Sequence, residues 1–94
     1  MRLLIVEDEK KLCDTIAKTL YQAGYEVDTC YDGDEALDYI LAENYDLIVL
    51  DLNLPGTDGM DILKELRKEN EETKVLILSA RSQIVDKVEG LDAG

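Results

Sequence analysis

Short apolar runs alternate with longer amphipathic stretches along this chain. Leu3-Leu4-Ile5-Val6 is brief and continuous, which predicts a strand buried on both faces. Over residues 10–23, Leu12, Cys13, Ile16, Ala17 and Leu20 recur at helical spacing, and Gly24 supplies a stop. Tyr25, Val27, Thr29 and Tyr31 then alternate with Glu26, Asp28 and Cys30, the two-residue period of a strand at a sheet edge. Asp32-Gly33-Asp34-Glu35 predicts a capped helix start, with Ala36, Leu37, Ile40 and Leu41 as its inward stripe and Asn44 beyond its end. Leu47-Ile48-Val49-Leu50 is a second apolar strand. The loop 51–59 follows, holding the only proline. A helix over 60–69 turns Ile62, Leu63 and Leu66 inward, and Val75-Leu76-Ile77-Leu78 forms a third apolar strand that leads to Ser79. Ile84, Val85, Val88 and Leu91 mark a last short helix.

Strands that alternate with helices in this way predict an α/β fold: a parallel sheet with helices on both faces. Right-handed crossovers leave few topologies open. Ninety-four residues make one small domain. With 46% apolar and 34% charged residues, the composition is that of a globular protein rather than a disordered tail. No window is long and apolar enough for a membrane-spanning helix. The opening apolar run meets Glu7-Asp8-Glu9 too soon to read as an export signal. Two cysteines make no disulfide framework, so a cytoplasmic setting is expected, with Cys13 and Cys30 packed as small hydrophobes. Twenty-two acids against ten bases give a net charge of −12, a field that repels phosphate backbones and anionic membrane surfaces. The domain itself is therefore not expected to bind nucleic acid or membrane.

The candidate chemistry sits where strands end. In an open α/β sheet, ligands bind beyond the carboxyl ends of the strands. Glu7 and Asp8 follow the first strand, Asp51 the third, and Ser79 with Ala80 the fourth. Carboxylates brought this close need a counter-ion, and Mg²⁺ suits an all-oxygen donor set that leaves positions to water. Single residues have plainer uses: Asp8 or Glu9 could cap the first helix, and Asp51 could turn the loop behind it. Four such residues on one rim favour the site.

At this point the sequence resembles a known family, the receiver domains of two-component response regulators. The resemblance rests on residues 3–9, on the run 46–59 with its Leu-Pro-Gly-Thr-Asp-Gly loop after a strand-end Asp, and on residues 75–80. Ser79-Ala80-Arg81 with Gly90-Leu91-Asp92-Ala93-Gly94 is most similar to the OmpR/PhoB type. The resemblance implies a flavodoxin-like doubly wound sheet of order 2-1-3-4, with strand five and helix five of the family not present. It implies Asp51 as phosphoacceptor from a sensor histidine kinase. It also implies Mg²⁺ held by Asp8 and Asp51, by Glu7 partly through water, and by the backbone carbonyl of Asn53. Ser79 would contact a phosphoryl oxygen, with the small Ala80 leaving access to it. Pro55, Gly56 and Gly59 would shape the loop.

The family places a lysine after its fifth strand. Neither Lys74, before the fourth strand, nor Lys87, in the last helix, stands there. The 94 residues are accordingly expected to form a receiver incomplete at its C-terminus, slow or unable to accept phosphate from small donors and prone to self-association, with a winged-helix output beyond it. Three other readings compete. An aspartyl-phosphate phosphatase would carry its nucleophile on the first strand with a second Asp two residues on, where this chain has Asn53 after Asp51. A flavin mononucleotide carrier would need a Ser/Thr-rich loop in place of Glu7-Asp8-Glu9. A self-associating fragment that is not phosphorylated is the third.

Overall fold

The apolar runs become the sheet in a computed structural model that describes residues 1–78. The elements are β1 (Arg2–Val6), α1 (Lys10–Gln22), β2 (Glu26–Cys30), α2 (Gly33–Ala42), β3 (Leu47–Asp51), α3 (Gly59–Glu69) and β4 (Lys74–Leu78). All pairings are parallel and the order is β2-β1-β3-β4, the flavodoxin-like arrangement expected. The expected helix through Leu91 lies outside the described residues. Among those described, no helix is long and apolar enough to cross a membrane.

The pleat divides the core in two. Leu4, Val6, Ile48, Leu50, Val75 and Ile77 face α2 and α3, where Ala36, Ile40, Ile62, Leu63 and Leu66 meet them. Ile5 and Val49 face α1, through Cys13, Ile16, Ala17 and Leu20. Each central strand therefore buries successive residues on opposite faces, which is why its sequence is continuously apolar.

Three details differ from the sequence pattern. Leu41 is 59% exposed, not inward. At about 100° per residue it falls well off the axis of the stripe centred on Ala36 and Ile40. Leu12 is 40% exposed for the same reason, one step from Cys13. On β2, Cys30 lies in the phase assigned to polar residues yet is buried against α2, while Tyr25 stands outside the strand. There it belongs to the turn that ends α1: Gly24, at φ +100°, and Tyr25 donate back to Tyr21 and Leu20 in a Schellman arrangement. Cys13 and Cys30 are buried free thiols. Burial pushes Cys13 up to about 11 and Cys30 up to about 12, so both remain protonated, inert packing groups at neutral pH.

The amino ends of the strands are tied by a polar knot. Asp28 Oδ2 accepts from the Tyr45 hydroxyl at 2.7 Å and from Arg2 Nη2 at 3.0 Å. Arg2 also reaches Glu43 at 3.2 Å, and its backbone N–H donates to Asp46 at 2.8 Å. This ties β1, β2 and the entry to β3 at the rim opposite the acids.

Candidate functional site

Register brings the acids together. Val6 pairs with Leu50 across β1 and β3, so Glu7 and Asp51 emerge side by side from the two central strands. Both are 6% exposed, while Asp8, one residue further out, is exposed. One carboxylate oxygen from each of Glu7, Asp8 and Asp51 lies within 4.8 Å of the other two. These are hard oxygen donors converging on one point, and they fit a divalent cation. Asp8 and Glu9 do not take the plainer role: Glu9 occupies the N-cap position of α1 with no side-chain capping bond. Asp51 does turn its own loop, since its Oδ1 accepts from the Asn53 N–H at 2.9 Å. That bond fixes the carboxylate rotamer and directs the chain back over the rim. Ser79 and Ala80 lie outside the described residues.

Glu7 bears the electrostatic cost. Burial first, then hydrogen bonding with Asp51 and Asp8, raises its carboxyl from the usual 4.5 to about 8. A carboxyl that holds its proton longer when folded stabilises fully below pH 4.5, and that contribution is lost as the pH rises through about 8. Metal-free protein is therefore expected to lose stability between about pH 5 and pH 8. Denaturant melts of Glu7→Gln, which cannot ionise, should lose this part of the slope; an unchanged slope would assign it elsewhere.

The loop after Asp51 is held from an unexpected side. The Gly33 N–H donates to the Pro55 carbonyl at 3.0 Å. Asp34 Oδ1 accepts from Thr57 Oγ1 at 2.6 Å and from the Thr57 N–H at 3.2 Å. Gly56 has φ +78°, the left-handed region that favours glycine, and passes directly under the Asp34 carboxylate. Gly59 opens α3 where a Cβ would press on the Leu52 Cα and the Asp51 carbonyl, while Asp58 caps that helix through the Met60 N–H at 2.8 Å. Gly56 and Gly59 thus stand where a side chain would strain or press on its neighbours, while Pro55 contributes its carbonyl to the Gly33 bond. The parts of Gly33, Asp34 and Thr57 were missed, because nothing in the sequence links residue 34 with residue 57. A Cβ on Gly33 would overlap the Thr57 carbonyl oxygen. Gly33→Ala is expected to cost about 2 kcal/mol by overpacking, read from the urea midpoint.

Comparison with known proteins places this geometry. The profile of the response regulator receiver domain matches residues 3–94. The transcriptional regulatory protein DltR of Streptococcus agalactiae is 49% identical over 94 residues, which are all of this chain and 42% of DltR. The chain thus spans less than half the length of that relative. The response regulator TrrA of Thermotoga maritima, solved in complex with Mg²⁺-BeF, superposes with a TM-score of 0.84 at 34% identity, covering 99% of this chain and 80% of TrrA. A structure of the histidine kinase ThkA in complex with TrrA matches with a TM-score of 0.80 at 37% identity, covering 88% of this chain and 72% of the chain matched. With the sheet order, the strand-end acids and the profile match in agreement, this chain belongs to the family of response regulator receiver domains.

Proposed function

We propose that this domain is the phosphoacceptor of a two-component phosphorelay, taking a phosphoryl group from a sensor histidine kinase onto Asp51. The observation that carries the reading is the meeting of Glu7, Asp8 and Asp51 at one point above the two central strands. Asp51 Oδ1 is tied down by Asn53, which orients the carboxylate as a nucleophile toward the phosphorus of a phosphohistidine. The P–O bond to Asp51 forms as the P–N bond to the kinase histidine breaks, and the histidine leaves with the electron pair. Asp8, Asp51, the Asn53 carbonyl and, partly through water, Glu7 would hold Mg²⁺. The ion supplies neutralisation of the phosphoryl oxygens, which in-line transfer needs more than covalent help. Ser79 would donate to a phosphoryl oxygen and Ala80 would leave that approach open. Like DltR, the whole protein is a transcriptional regulator in this reading, with DNA contact made by an output domain and not by these acidic residues.

Peptide mapping after long incubation with acetyl phosphate and Mg²⁺ tests it. The expected result is one hydroxylamine-labile phosphate, confined to Asp51. Phosphate on another residue, or none from any donor, overturns the reading. Self-association belongs to the same proposal. Among the described residues β4 pairs only with β3, and Leu76 and Leu78 on the α1 side are half-buried. A strand edge left unpaired favours pairing between chains. Sedimentation of the 94-residue polypeptide should show dimers or larger species at moderate salt; a monomer at high concentration contradicts it.

A further inference from the structure

We propose that Asp34, at the start of α2, is a positioning residue for the metal site: by clamping Thr57 it fixes the loop that carries Asn53. The inference rests on the Mg²⁺ reading above and adds residues that reading does not use.

Asp34 Oδ1 receives two bonds from one residue, at 2.6 Å from the Thr57 hydroxyl and 3.2 Å from its N–H. The neighbouring Gly33 N–H fastens Pro55 at 3.0 Å. At the other end of the same loop, the Asn53 N–H is bound to Asp51 Oδ1 at 2.9 Å. Between these anchors lie only Leu54 and Gly56, and Gly56 is bent into a positive φ beneath the Asp34 carboxylate. The Asn53 carbonyl therefore sits on a short span fixed at both ends. Without Asp34, the far end is held by the Gly33–Pro55 bond alone, and the looser carbonyl must be ordered further when the cation binds, which weakens binding. Thr57 is half-buried and Asp34 exposed, so the clamp need not be made for the core to form.

The test is Mg²⁺ titration of the full chain, read calorimetrically, with urea melts run on the metal-free protein. Asp34→Ala is expected to weaken Mg²⁺ about fivefold, the size of one or two lost hydrogen bonds. Asp34→Asn retains the accepting oxygen and should restore most of that affinity. Thr57→Val keeps every charge on the rim and loses only the hydroxyl bond, not the N–H one, so it should weaken Mg²⁺ by a large part of the Asp34→Ala effect. The double variant should be no weaker than Asp34→Ala alone. If Asp34→Asn binds as poorly as Asp34→Ala while Thr57→Val binds normally, Asp34 acts only through its charge and the proposal falls. If the melts shift but Mg²⁺ affinity does not, the clamp is merely structural and the proposal falls again. Asp8→Ala is the control: unchanged affinity there would fault the metal reading itself, and not the clamp.

Discussion

Asparagine at Asp51 is expected to abolish phosphoryl uptake while leaving the fold intact. The substitution keeps volume and shape at a 6%-exposed position and retains an oxygen for the Asn53 N–H. It removes the carboxylate proposed to attack phosphorus, and an amide oxygen is far too weak a nucleophile to replace it. Loss of an activated nucleophile costs enzymes on the order of 10⁶-fold, so uptake should fall below detection by intact mass. Removing one acid from a crowded rim also relieves repulsion, so the metal-free variant should melt no earlier than the parent. Retained uptake would show that another residue accepts the phosphate.

The second large effect is expected at Asp8. Its carboxylate is exposed and meets the cluster from outside, whereas Glu7 is buried and, with its carboxyl raised to about 8, is largely protonated at neutral pH without metal. A cation must displace that proton to use Glu7, but gains the Asp8 charge outright. At an effective dielectric near 20, a divalent ion and a carboxylate about 4 Å apart attract by about 8 kcal/mol, and the exposure of Asp8 to water lowers this to about 2 kcal/mol. Asp8→Ala is thus expected to weaken Mg²⁺ about thirtyfold, and Glu7→Ala by less. Calorimetric titration of both variants checks the order. Equal losses would remove the distinction between direct and water-mediated ligands.

The strand-end acids were legible in the sequence because parallel strands in register deliver their last residues to one rim: Leu50 beside Val6 commits Asp51 to stand by Glu7. The strands themselves were legible because a run buried on both faces must be apolar throughout. What the chain concealed were pairings between distant polar residues. Asp28 reads as a solvent-facing strand acid, yet it binds Tyr45 and Arg2, 17 and 26 residues away. Asp34 reads as a helix-start acid, yet it holds Thr57 across 23 residues. Periodicity reports burial along one element and carries no information on which polar groups meet across two. Leu41 shows the same limit from the apolar side, since a stripe four residues wide in sequence is wider than the neighbour it packs against.

The central place of β1 has a consequence for the newly made chain. Leu3 leaves the ribosome ahead of its partners on either side, Val27 and Leu47, which follow 24 and 44 residues later. At about 5–20 residues per second, β1 waits about 2–9 s for its second neighbour. Throughout that interval Leu3-Leu4-Ile5-Val6 is a sticky strand with at least one edge unpaired. Arg2 stands on one side of it and Glu7-Asp8-Glu9 on the other, the arrangement that keeps such segments from joining their copies on neighbouring chains. The acids that gather at the finished rim thus serve the protein earlier, as gatekeepers of its own nascent strand.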